Sequence, residues 1–245
     1  MSSSKVDILG IQFINSSLVD IMKLLNNHIQ KKEKAFVVTA NPEIVVHSHR
    51  DQNYRKLINT ATYITPDGTG IVKASRFLNQ PICERVTGFD IFMNALQVAD
   101  EKQWCVYFLG AKDAVLNRTL ETVKQLYPSL KTVGAHHGYF GLDDEHIIED
   151  IRQAQPDFIF VAMGFPRQEQ WIARHISKFE KGVFIGVGGC FDVLSGTTKR
   201  APQIWQKLNI EWLYRLLQQP QRGRRMMALP LFALKILKQK AKMLK

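Results

Sequence analysis

Phe158-Ile159-Phe160-Val161-Ala162-Met163-Gly164-Phe165-Pro166-Arg167-Gln168-Glu169-Gln170-Trp171 holds a strand, a turn and a helix start in one stretch. Six apolar residues without polar alternation are what a strand covered on both faces requires. Gly164 ends the run, and Pro166 stands where a helix tolerates a missing N–H. The same succession recurs at Phe36 to Thr39, Thr62 to Thr65, Trp104 to Leu109 and Val183 to Val187, each followed by turn and helix signals. Such alternation predicts an α/β fold, a Rossmann-like, mostly parallel sheet flanked by helices. Ahead of it, Val6 to Phe13 reads as a strand or hairpin. Ser17 to Ile29 reads as a helix begun by a Ser16/Ser17 cap.

After Gly196 the rhythm changes, because Ala201 to Gln218 and Met226 to Leu244 are helical patterns with no strand between them. The chain therefore divides into an α/β catalytic core, 1–195, and a basic helical C-terminal appendage, 196–245. Charge divides the same way. The 245 residues carry a net +11, and Lys199 to Lys245 alone contain twelve basic residues against one acid, Glu211, leaving 21 of each sign before them. Excess of this kind calls for an anionic partner. Lys235, Lys238, Lys242 and Lys245 recur at helical spacing, with Leu231, Leu234, Ile236, Leu237 and Leu244 over the remainder. That is the pattern of a helix lying in a membrane interface, where each basic residue contributes about 1 kcal/mol near an anionic leaflet. No DNA- or RNA-binding motif accompanies the charge, so the expected partner is an anionic membrane surface and not nucleic acid.

Apolar content of 45% is enough for a substantial core, and no run of about 18 apolar residues spans a bilayer. Cys83, Cys105 and Cys190 are isolated, which fits a reducing cytosol, and the opening residues resemble neither a secretory signal nor a transit peptide. The expectation is a soluble protein, or one resting on a surface.

Ligands of open α/β sheets lie at the carboxyl ends of the strands, so the residues following each strand come first. In Thr39-Ala40-Asn41-Pro42-Glu43, Asn41 can cap a helix whose first residue is Pro42 and whose N-terminus offers free N–H groups. Pro66-Asp67-Gly68-Thr69-Gly70 reads either as a common turn or as a site for a general base approached closely by substrate. Gly164 to Trp171 would aim amide and guanidinium groups into the same cleft. Gly186-Val187-Gly188-Gly189, with Asp192 just after it, is a turn able to admit a diphosphate to backbone amides. Arg215, Arg222, Arg224 and Arg225 supply planar forks for phosphate oxygens, beside Trp205, Trp212 and Tyr214. A solvated basic face is the plainer alternative.

Other chemistries lack their residues. The spacing matches neither G-x-G-x-x-G nor a Walker A loop, and there is no G-x-S-x-G, H-E-x-x-H or D-x-D. Adjacent His136 and His137 would point to opposite faces of a strand and make a poor joint metal site.

Taken together and in order, Thr39 to Glu43, Pro66 to Gly70, Arg85-Val86-Thr87-Gly88, Gly164 to Glu169 and Gly186 to Gly189 resemble the WecG/TagA/CpsF glycosyltransferase family, from about Val6 onward. Asn209-Ile210-Glu211-Trp212-Leu213-Tyr214-Arg215 looks most like the branch serving wall teichoic acid synthesis. The resemblance implies inverting transfer of N-acetylmannosamine from a UDP-sugar donor to undecaprenyl-diphosphate-linked N-acetylglucosamine, forming a β-1,4 bond. It implies no metal and no cofactor, a peripheral location on the cytoplasmic face of the bacterial membrane, and assembly into homo-oligomers. Asp67 corresponds to the general base, Thr39, Asn41, Arg85 and Gln168 to the cleft lining, and Arg215, Arg222 and Arg225 to arginines that close over the donor. Gly186, Gly188 and Asp192 complete the expected substrate-binding set. Arg224 is an additional cation, so which arginine meets phosphate stays open. Two alternatives remain: a related transferase using UDP-N-acetylmannosaminuronic acid or another sugar, and a non-enzymatic membrane-binding module.

Overall fold

A computed structural model describes residues 4–199, 201–202, 204–205, 211–218 and 223–243. Its first two strands, β1 (Lys5–Ile8) and β2 (Ile11–Ile14), form the expected hairpin. Leu9 and Gly10 make the turn with φ of 53° and 83°, the type I′ geometry that matches strand twist. Helix α1 (Leu18–Gln30) follows, and the Ser17 hydroxyl caps it by accepting from the Asp20 N–H.

The main sheet has six strands in the order β4-β3-β8-β7-β5-β6, all parallel. They are β3 (Lys34–Ala40), β4 (Tyr63–Pro66), β5 (Cys105–Gly110), β6 (Lys131–His136), β7 (Phe158–Ala162) and β8 (Gly182–Gly186). Side chains alternate between two cores. Phe36, Val38, Leu109, Val161 and Phe184 pack with α2 (Pro42–Arg50), α3 (Gln52–Ile58), α4 (Thr69–Phe77), α7 (Glu145–Ala154) and α8 (Arg167–His175). Val37, Phe108, Phe160 and Ile185 pack with α1, α5 (Gly88–Lys102), α6 (Asp113–Leu126) and α9 (Cys190–Leu194). This is the doubly wound α/β architecture anticipated from the apolar runs.

Strand β6 was not among those runs, because Lys131 and Thr132 are exposed and the rest only half-buried at a sheet edge. His136 ends that strand and His137 lies beyond it, so the two rings meet at 4.4 Å instead of pointing apart. The expected helix over Ala201 to Gln218 is narrower. Ala201 and Pro202 are not helical, while Ile204, Trp205 and Glu211–Gln218 are. The helix expected from Met226 is interrupted by a turn at Met227, giving Gly223–Met226 and the C-terminal helix Ala228–Met243.

The C-terminal helix packs against α2 and α4 and buries Phe232 and Ile236 in the first of the two cores. Gln239 adds a clasp to the hairpin: its Oε1 accepts the Leu9 N–H at 3.0 Å and its Nε2 donates to the Asp7 carbonyl at 3.3 Å. No helix among the described residues is long and apolar enough to cross a membrane.

In the second core Phe92 sits edge-on to Phe160 at 4.7 Å and beside Phe191 at 5.7 Å. Phe92→Ala empties that position, and its expected cost is about 3–5 kcal/mol of stability, measured as a lowered urea midpoint with an unchanged slope.

Candidate active site

Every strand of the main sheet ends on the same edge, so the loops that follow are neighbours. Strands β3 and β8 lie side by side, yet β3 leads into α2 on one face and β8 into α9 on the other. Loops that part in this way leave a crevice. A cavity of about 340 Å³ fills it, walled by Thr39, Asn41, Asp67, Gln168, Gly188 and Asp192 among others. That size suits a small-molecule ligand.

Each wall residue is placed by local chemistry. Asn41 caps α2, its Oδ1 accepting the Ile44 N–H at 3.1 Å, with Pro42 as the first helical residue. Thr39 is buried, and its hydroxyl donates to the Gly186 carbonyl at 3.1 Å, tying the ends of β3 and β8 together. Gly88 lets α5 begin against that threonine, since a Cβ at Gly88 would lie 2.9 Å from Thr39 Oγ1. Asp67 follows β4. Its N–H donates to the Ala40 carbonyl at 2.9 Å, and its Oδ2 accepts from the Gly88 N–H at 3.5 Å. The carboxylate is thereby held at the start of α5, where the helix dipole favours negative charge.

Five helices, α2, α4, α5, α8 and α9, start around this cavity. Three of them, α4 at Gly68, α8 at Pro166 and α9 at Gly189, have no side-chain cap. Uncapped N-termini present backbone donors to an anion. Lys199 and Arg225 add cations to the wall, and Arg225 Nε stands 3.4 Å from Glu43 Oε1 in the first turn of α2. Both side chains are partly exposed, so the pair contributes at most about 1 kcal/mol.

Gln168 is a buried part of the wall, and its Oε1 accepts the Gly188 N–H at 3.0 Å. Its Nε2 donates to Glu169 Oε1 at 2.7 Å. Burial pushes the Glu169 carboxyl up to about 7. Burial, together with that carboxyl, drives the Tyr54 hydroxyl upward as well.

The cavity thus gathers Thr39, Asn41, Asp67, Gln168, Gly188, Asp192 and Arg225. Gly186 lies just behind its wall, against Gln168. Arg85 is not on the wall; from its loop Thr87, Gly88 and Phe89 line it instead, Thr87 capping α5 by accepting the Asp90 N–H at 3.1 Å. Arg222 lies outside the described residues, as do the side chains of Arg215 and Arg224. The expectation for Arg167 is corrected: its guanidinium does not face the cleft. It donates to the Phe140 carbonyl and lies over the Phe140 ring at 5.7 Å, partners that draw it away. Glu43, Lys199 and Gln218 are wall residues that sequence reasoning passed over. Only Glu43 carried a signal, as an acid in the first turn after the Asn41-Pro42 cap.

Residues 6–245 match the model of the glycosyl transferase WecG/TagA/CpsF family. Two curated proteins from Staphylococcus aureus, strains MW2 and NCTC 8325 / PS 47, are each 42% identical over 246 aligned positions, covering all of this chain and 96% of theirs. Each bears the name N-acetylglucosaminyldiphosphoundecaprenol N-acetyl-beta-D-mannosaminyltransferase. With its crevice of strand-end loops, and with the family's model spanning nearly its whole length, this chain belongs to the WecG/TagA/CpsF family of glycosyl transferases.

Proposed function

We propose that the chain is an inverting transferase that moves N-acetylmannosamine from its UDP donor to N-acetylglucosaminyl-diphosphoundecaprenol. It would form a β-1,4 linkage at the inner face of the cell membrane. The observation that carries this reading is the meeting of Asp67 with three uncapped helix starts and two cations around one cavity. Full-length identity to enzymes of that name supports the choice of sugars.

In this reaction Asp67 takes the proton from the acceptor's 4-hydroxyl as that oxygen attacks the anomeric carbon on the face opposite UDP. One bond forms, the bond to the diphosphate breaks, and the diphosphate leaves with a full negative charge. Donors already aimed at the leaving group stabilise that charge without reorganising. The candidates are the backbone amides at the starts of α8 and α9, Lys199 and Arg225, with Arg215 and Arg222 completing the set from the appendage. Glu43 occupies Arg225 until a diphosphate competes for it.

The acceptor is a membrane lipid, so the cleft must reach a bilayer. Residues 196–245 serve as the appendage that brings it there. On the C-terminal helix, Leu234 and Leu237 are 56% and 54% exposed, opposite the buried Phe232 and Ile236, with Lys238 and Lys242 exposed beside them. An apolar strip flanked by lysines suits an anionic leaflet.

Incubation of UDP-N-acetylmannosamine with a synthetic lipid-diphosphate N-acetylglucosamine is expected to yield the disaccharide lipid, identified by mass spectrometry. Product from UDP-N-acetylmannosaminuronic acid alone would reassign the donor. Asp67→Asn should keep its melting temperature and bind UDP within threefold, while kcat falls by about 10²-fold or more; near-normal turnover would remove Asp67 from the role of base. The double substitution Leu234→Glu/Leu237→Glu should weaken sedimentation with phosphatidylglycerol vesicles at least tenfold, with an unchanged melting temperature because both sites are open to solvent. Undiminished vesicle binding would place the membrane contact elsewhere.

A further inference from the structure

One acid beside the site takes no part in the reaction just described. Glu169 is fully buried in the first turn of α8. Its carboxyl accepts from Gln168 Nε2, whose partner Oε1 accepts the Gly188 N–H. Gly186 permits this close packing: a Cβ there would lie 2.8 Å from Gln168 Nε2 and 3.3 Å from Glu169 Oε1. Tyr54, from α3, approaches the same carboxyl, although neither its hydroxyl nor Glu169 Oε2 has a well-formed hydrogen bond among the described residues.

A buried carboxylate with no cation beside it among the described residues is unfavourable, as the rise to about 7 records. Its chemistry nonetheless dictates an orientation. A carboxylate only accepts, whereas a carboxamide both donates and accepts. Glu169 therefore compels Gln168 to turn its NH₂ inward, which leaves the oxygen for the Gly188 N–H. The reversed amide would set donor against donor at Gly188 and oxygen against oxygen at Glu169. We propose that Glu169 is a positioning residue for diphosphate binding: it orients the Gln168 carboxamide and so holds the Gly188 turn in the shape that receives the donor. The inference rests on the UDP-donor reading above.

The groups around Glu169 keep its test simple. Helix α3 brings Tyr54, and α2 brings His47, whose ring packs on Tyr54 at 4.9 Å. Strand β8 carries no titratable side chain, and β3 only Lys34, at the opposite end of the sheet. Lys178, in the short turn after α8, is paired with Glu145. Because the Glu169 pKa is raised on folding, the native state binds more protons than the unfolded one from the usual carboxylate range up to about 7. Stability contributed at this position falls as pH rises through that window, and Glu169→Gln removes the loss.

At pH 8, Glu169→Gln should melt at or above the wild-type temperature. Its Kd for UDP by calorimetry, and its KM for the donor, should nevertheless rise about tenfold, with kcat within threefold. Wild-type affinity for a UDP-N-acetylhexosamine, whose diphosphate diester does not titrate near neutrality, should weaken as pH falls through about 7. The variant's affinity should stay flat. Normal wild-type binding with unchanged affinity in the variant overturns this proposal alone, as does a flat wild-type profile, which decides the matter even if the variant does not fold. Parallel loss of melting temperature and affinity would assign Glu169 a purely structural role. Failure of the wild-type chain to bind UDP would overturn the donor reading and this inference with it.

Discussion

Parallel pairing of β3 with β8, from Lys34 opposite Gly182 to Val38 opposite Gly186, is the contact on which the site depends. It joins segments far apart in the chain and sets Thr39 beside Gly186, where the buried hydroxyl bond fixes the register at the strand ends. Side chains alternate along a strand, so a slip of one residue would exchange the two cores and turn Thr39 away. Once this pair is formed, the loops into α2 and α9 diverge and the crevice between them opens.

Electrostatics in the crevice are mixed. Glu43, Asp67 and Asp192 share its wall with Lys199 and Arg225. A pocket for a diphosphate alone would hold only positive charge, but under the proposed reaction a base for the acceptor hydroxyl must remain anionic beside it. Helix N-termini reconcile the two demands. They offer partial positive charge that is fixed in direction, so a carboxylate and a phosphate can each find donors without meeting one another.

Much of this was legible in the sequence, for reasons particular residues make clear. Five strands announced themselves because both of their faces are buried, while β6 hid because an edge strand with Lys131 and Thr132 exposed lacks a continuous apolar run. Asn41 and Asp67 directly follow strands and Gln168 opens the helix after one, and topology brings the three together without further information. Side-chain direction is less local. Arg167 is adjacent to Gln168 yet turns to Phe140, a partner reached only through tertiary packing. Lys199 and Gln218 belong to segments whose approach to the cavity no periodicity encodes, and nothing local to Glu169 marks it as a buried acid.

The clasp between Gln239 and the β1–β2 hairpin joins Leu9 to a residue 230 positions later. Contacts of such separation form late, after the intervening chain has closed its own nearer contacts. During synthesis the hairpin waits for a partner translated some 230 residues later, with the apolar face of α2 uncovered meanwhile. Completion of the fold and arrival of the C-terminal helix are therefore one event, and a nascent chain halted before that helix would leave the core face of α2 unsealed.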